Sequence, residues 1–182
     1  NYGTSALYFK REYPNCQLTC VEADPNIFNL LKWNLDQHKH NGIELINRAV
    51  SNSELPVLFH QEGADGGRMI PIDGFEQSVE IPSIHLDDLI QGPVDFLKMD
   101  IEGCETEVIL NSEKLNQVSQ IFIEYHSFKN SEQTLSSLLE SLSTRGFRYY
   151  IHSQFCSQRP FTEESIQLGM DLQLNIFAKK EN

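Results

Sequence analysis

Short, almost wholly apolar runs alternate along this chain with longer stretches in which apolar residues recur at helical spacing. The run 16–22 reads as a strand, with Leu18, Cys20 and Val21 apolar, and it stops at an acid cluster. Asp24 is suited to cap a helix and Pro25 to open one. Ile27, Leu30, Leu31, Asn34 and Leu35 then recur at helical spacing until Asn41-Gly42 ends the helix. Residues 43–50 predict a second strand and 56–60 a short third one. The stretch 61–77, punctuated by Gly63, Gly66, Gly67, Pro71 and Gly74, predicts a mobile loop and a candidate lid or substrate collar. Residues 78–90 give a short extended piece and one helical turn. A buried strand over 94–100 leads into an amphipathic helix over 104–115, and a further buried strand covers 118–126. A helix follows over 131–147, with Ser131 as cap and Gly146 as stop. Strands over 147–154 and 171–180 close the pattern.

Strand–helix–strand alternation predicts an α/β fold, a mostly parallel sheet covered on both faces, in one domain over residues 1–182. The last two strands are joined by a polar loop and not by a helical crossover, so they are expected as an antiparallel edge pair. Asn1-Tyr2-Gly3 and the helical stretch behind it look like the end of a glycine-rich turn. The strand that should feed that turn is missing, which suggests an N-terminally trimmed sheet.

Composition narrows the function. Of the 182 residues, 26 are Asp or Glu and 14 are Lys or Arg, a formal net charge of −12. Without a basic stripe to displace counterions from phosphates, nucleic acid and anionic membranes are disfavoured as partners. A small neutral or cationic ligand fits better. No apolar run is long enough to cross a bilayer and no charged-then-apolar leader opens the chain, which points to a cytosolic protein. Cys16, Cys20, Cys104 and Cys156 match no zinc spacing and read as reduced thiols.

The candidate chemistry sits at strand ends, where open α/β sheets bind ligands. Glu22 lies nineteen residues beyond Gly3, an offset at which an acid accepts hydrogen bonds from the ribose of an adenosine cofactor. A helix-capping acid is the plainer alternative, but Asp24 already fills that role. In "KMDIEGCE" (98–105), the favourable end of a helix dipole accounts for Glu102, Glu105 and Glu107. It does not account for Asp100, which is still on the strand. Glu124 and His126 end the next strand and would lie beside Asp100 if the two strands are parallel neighbours. Two carboxylates and an imidazole at one strand edge suggest acid–base work or a divalent metal of the magnesium, manganese or iron type. No metal is assigned. His38, His40, His60, His85 and His152 read as surface or strand-end residues.

"NYGTSALYF", "VEADP", "NRAVSN", "IPSIHLDDLI", "FLKMDIEGCETEVIL" and "IFIEYH" occur in an order and spacing that resemble the FkbM-type methyltransferases. The likeness covers residues 1 to about 145, and its most specific element is Lys-x-Asp-x-Glu-Gly-x-Glu together with Leu-Asp-Asp. The resemblance implies a class I Rossmann-like three-layer fold that binds S-adenosylmethionine and methylates a hydroxyl oxygen of a small metabolite, sugar or polyketide-like acceptor. By position it implies that Asn1, Tyr2 and Gly3 form the methionine-side turn and that Glu22 meets the ribose. It places Ala49 and Val50 near the adenine, and Asp100 near the methionine end and the reaction centre. Two features depart from the family pattern: the Asp-x-Gly-Ala expected before Asn1 is absent, and Cys104 stands where a His or small residue is usual.

Methyl transfer to an alcohol gains most of its rate from alignment, and a further factor of about 10²–10⁴ from a base that takes the hydroxyl proton. Asp100 and His126, with Glu124 beside them, are the candidates. A nicotinamide-dependent dehydrogenase would require a complete Gly-x-Gly-x-x-Gly. A methyltransferase-like domain that only binds would bind S-adenosylmethionine without turnover, or would not bind it.

Overall fold

The computed structural model describes residues 2–38, 40–60 and 78–181. Asn1 and the stretch 61–77, expected as a mobile loop, lie outside the described residues. The chain forms two compact units, Asn1–His85 and Leu86–Asn182.

The first unit opens with helix α1 (Thr4–Glu12), strand β1 (Leu18–Glu22), helix α2 (Pro25–His38) and strand β2 (Ile43–Asn47). β1 and β2 are parallel, with Leu18 opposite Ile43 and Glu22 opposite Asn47. Ala6, Leu31 and Leu35 form a small core against Leu7, Leu18, Cys20, Phe28, Ile43 and Leu45. Asp24 caps α2 as expected: its Oδ1 accepts the amides of Asn26 at 2.7 Å and Ile27 at 3.3 Å. Of the apolar series on α2, Leu30 faces out and is 46% exposed, while Ile27, Leu31 and Leu35 are buried.

The strand expected over 43–50 breaks at Arg48. The Asn47 side chain turns back to donate to the carbonyls of Glu22 (2.8 Å) and Ala23 (3.0 Å), which ends β2. The chain then pairs elsewhere: β3 (Ala49–Val50) runs parallel to β6 (Ser83–Ile84). β4 (Val57–His60) and β5 (Ser78–Ile81) form an antiparallel pair. Ala49, Phe59 and Ile81 share a second small core.

The second unit contains α3 (Leu86–Leu89), β7 (Val94–Met99), α4 (Glu105–Asn111), a 3₁₀ turn (Leu115–Gln117), β8 (Val118–Phe128), α5 (Leu135–Thr144), β9 (Phe147–Cys156) and β10 (Met170–Lys180). Its sheet has the order β7-β8-β10-β9. β7 and β8 are parallel, and Met99 stands opposite Ile123. The last two strands do pair antiparallel, and β10 also pairs antiparallel with β8. The strand latest in the sequence therefore lies inside the sheet, with β9 outside it. β7 was expected to be apolar and covered on both faces. Among the described residues it has β8 as its one strand neighbour, and Phe96 is 40% exposed. α4 and α5 pack on each other, α4 on β8 and α5 on β9. Ile109, Leu138 and Leu142 are fully buried, as are Ile121, Ile123 and Ile176 of β8 and β10.

Two helices are shorter than the sequence pattern suggests, each because a distant side chain claims backbone groups. α5 starts at Leu135 and not near Ser131. The Tyr125 hydroxyl accepts the Thr134 amide at 3.1 Å, and the Thr134 hydroxyl donates to that of Thr106 at 2.8 Å. α4 ends at Asn111 because Asp87 of α3 accepts the Ser112 hydroxyl and the amides of Glu113 (2.9 Å) and Lys114 (3.2 Å). Lys114 Nζ returns the contact to the Asp87 carbonyl at 2.7 Å. Partial burial pushes the Asp87 carboxyl up, but these hydrogen bonds and the Lys114 charge outweigh it and hold the group below its ordinary range. A depressed carboxyl contributes stability above its unfolded pKa and loses it as pH falls through the folded value. Asp87→Ala is expected to cost about 1–2 kcal/mol at neutral pH, on the scale of a lost helix cap. In urea titrations the gap between variant and wild type should narrow steadily below about pH 4. A gap that stays constant into strong acid would show that the carboxylate charge is not what matters.

No helix among the described residues is long and apolar enough to cross a membrane.

Candidate functional site

In the first unit, the residues expected around a cofactor lie at the ends of its secondary-structure elements. Gly3 is buried and left-handed (φ 93°) directly before α1, and its carbonyl accepts the Leu7 amide at 3.0 Å. A Cβ there would stand 2.9 Å from Leu31 Cδ1 and would also strain the backbone, so the turn is built for glycine. The Tyr2 carbonyl accepts Asn34 Nδ2 at 2.8 Å, which ties the turn to α2. Glu22 ends β1, half-buried, and its Oε1 accepts the Asp24 amide at 2.9 Å. Glu22 therefore also braces the β1–α2 turn, a role the sequence reading had left to Asp24 alone. Ala49 is buried and Val50 half-buried on β3. Asn1 lies outside the described residues.

In the second unit Asp100 directly follows β7, and Glu124 and His126 lie beside it within β8, which runs on to Phe128 and not only to 126 as expected. The β7–β8 register sets Asp100 beside Glu124, and His126 lies two residues on, on the same face of β8. Lys98 Nζ donates to Asp100 Oδ2 at 2.8 Å. Gln173 of β10, directly opposite His126, donates from Nε2 to Glu124 Oε1 at 2.6 Å. Burial and the neighbouring Asp100 charge push the Glu124 carboxyl up, with His126, Lys98 and Gln173 pulling the other way. Glu124 thus holds a proton more readily than an ordinary carboxylate.

Two residues that the helix-dipole explanation had set aside belong to this cluster. Glu105, in the first turn of α4, is only 1% exposed. Its Oε1 accepts the amides of Ile101 and Gly103, both at 3.1 Å, and stands 3.0 Å from His126 Nδ1. This carboxylate moulds the turn that ends β7, where Glu102 (φ 57°) and Gly103 (φ 104°) are left-handed. The turn brings Glu102 Oε2 to 3.7 Å from His126 Nε2. Ligand atoms of Asp100, Glu102 and His126 all lie within 4.8 Å of one another. The only sequence signal for Glu105 was its place in Lys-x-Asp-x-Glu-Gly-x-Glu.

Burial alone would lower the pKa of the His126 ring. The bond to Glu105 and the charges of Glu105, Glu102 and Asp100 outweigh it and raise the pKa to about 9. At neutral pH the ring carries its proton and serves as a buried cation among carboxylates. Cys104, beside Glu105 in sequence, is pushed up to about 12 by burial and by the Glu105 and Glu107 charges, so it is a thiol and not a nucleophile.

A glycine turn before α1, acids beside strand ends and a mixed α/β arrangement are features of Rossmann-like folds. Solved methyltransferase structures share the fold. A precorrin-6y C5,15-methyltransferase from Geobacter metallireducens matches with a TM-score of 0.55 and 14% identity, over 99% of this chain and 76% of that one. The N-terminal domain of human METTL16 in complex with SAH matches with a TM-score of 0.51 and 15% identity, over 100% and 58%. Among curated proteins, Methyltransferase 1 of Beauveria bassiana is 23% identical over 168 residues, 78% of this chain and 68% of that protein. The model of the methyltransferase FkbM domain matches residues 1–149 and runs through both units, and the chain belongs to that family.

Proposed function

We propose that this protein is an S-adenosylmethionine-dependent O-methyltransferase acting on a hydroxyl of a small, neutral or cationic acceptor. The cofactor, when bound, supplies an activated methyl group. The first unit fits it on two observations. The buried left-handed Gly3 leaves no room for a side chain beside the first turn of α1. Glu22 presents a half-buried carboxylate at the end of β1, an acceptor group suited to the ribose hydroxyls. Tyr2 and Gly3 would line the methionine side, and Ala49 and Val50 the adenine.

The observation that carries the oxygen-directed reading is the Asp100–Glu124 pair. Asp100 follows the end of β7 and stands beside Glu124, inside the parallel strand β8, and Glu124 is shifted toward taking up a proton. Such a pair can orient an alcohol and accept its proton as the oxygen becomes nucleophilic. Lys98 Nζ donates to Asp100 Oδ2 at 2.8 Å and fixes its orientation. His126 already carries a proton at neutral pH, so it leaves the base role to the carboxylates and contributes positive charge and position. The net charge of −12 supports an acceptor without phosphate groups.

Glu22→Ala is expected to weaken S-adenosylmethionine binding by about 1–3 kcal/mol, the loss of charged hydrogen bonds to the ribose. Calorimetric titration of the full chain measures it, with the unfolding midpoint followed to separate binding from the bond to Asp24. Undiminished affinity would take Glu22 out of the ribose role. The reading as a whole is tested by incubating the protein with methyl-labelled S-adenosylmethionine and panels of alcohols, amines and carbon acids. Label transferred only to nitrogen or carbon would overturn O-methylation.

A further inference from the structure

We propose that Asp100, Glu102 and His126 bind one divalent cation of the manganese or magnesium type. The three offer two carboxylate oxygens and an imidazole nitrogen, all within 4.8 Å of one another, a spread that small side-chain rotations bring to bonding distance around one ion. That donor set suits a hard or borderline divalent cation and lacks the thiolates of a structural zinc site. This is a built cluster. His126 is 1% exposed, and Glu105, equally buried, engages its Nδ1, so that Nε2 faces Glu102 Oε2 at 3.7 Å and Gln173 Nε2 at 3.3 Å. A carboxylate behind a histidine is the usual arrangement that orients an imidazole toward a metal.

Charge and hydrogen bonding point the same way. Among the described residues, the carboxylates of Asp100, Glu102, Glu105 and Glu124 gather with Lys98 and one imidazole. On β10 the buried Oδ1 of Asn175 has no hydrogen-bond partner among the described residues. Asn175 pairs with Glu124 and lies on the same face of the sheet as Gln173 and the cluster. An orphaned acceptor oxygen on that face suits a cation. A cation on His126 Nε2 displaces the ring proton to solvent, and three protein ligands leave positions of an octahedron open to water or to an acceptor oxygen.

Binding alone tests this, so its outcome does not depend on the methyl-transfer reading. Manganese(II) chloride titrated into the full chain, followed by electron paramagnetic resonance, is expected to reveal one site that magnesium displaces. Pulsed measurements should detect nitrogen-14 coupling from the coordinated imidazole. Asp100→Asn and Glu102→Gln should each weaken binding about tenfold or more, and Glu105→Gln about 10–100-fold through the misdirected ring. Glu163→Gln, an exposed acid paired to Arg159, should change nothing. Glu102 is 20% exposed, so its variant should keep its fold, and circular dichroism checks this. No saturable binding at millimolar manganese, absence of nitrogen coupling, or equal affinity in Glu102→Gln and wild type would each overturn the proposal.

Discussion

Asp100→Asn is expected to lower turnover by about 10²–10⁴-fold while leaving S-adenosylmethionine affinity close to that of the wild type. The amide keeps the shape of the carboxylate but cannot take a proton at any accessible pH. The Lys98 bond at 2.8 Å holds the native group in one orientation, so the variant also loses a charge-assisted contact. Single-turnover rates with S-adenosylmethionine in excess isolate the chemical step. Glu124→Gln divides the role further. If the proton passes to Glu124, this second variant should show the larger loss, and the two losses together should be far from additive. Full turnover in Asp100→Asn would exclude it as base.

Glu105→Ala should have the largest effect on stability. The carboxylate and the imidazole it faces are both 1% exposed. Its removal strands a buried imidazolium and the amides of Ile101 and Gly103, a loss of about 3–5 kcal/mol. Urea unfolding at neutral pH measures this directly. The same change in a His126→Phe background should cost much less, because no buried charge then remains to be stranded. A loss under about 1 kcal/mol in the wild-type background would mean that water reaches His126 and takes the place of Glu105.

What could be read from the sequence followed how local its physics was. Asp24-Pro25 fixes the start of α2 through bonds to the amides of Asn26 and Ile27, both within its own turn. Asp100 and Glu124 stand out in the sequence because apolar strand runs should not lead into acids without reason. Glu105 did not stand out, since any acid in a first helical turn is explained by the dipole, and its partner His126 lies 21 residues away. α5 starts beyond the expected Ser131 cap for a similar reason: Tyr125 and Thr106, from other elements, hold Thr134 at the helix start. The break at Arg48 depends on Asn47 reaching back 25 residues to Glu22. Spacing rules see the neighbouring turn, while each of these decisions was made by a residue from another element.

The position of β10 imposes an order on synthesis. As the chain leaves the ribosome, β8 and then β9 emerge first, yet they do not pair with each other in the finished sheet. Each waits for the same eleven-residue strand, Met170–Lys180, to arrive between them. Until then the inner edges of both remain open to other nascent chains. Ribosome-stalled chains that hold β10 in the exit tunnel should accordingly be cleaved by protease within β9, and chains stalled far enough beyond it should resist. Protection of β9 before β10 emerges would mean that a temporary partner takes its place.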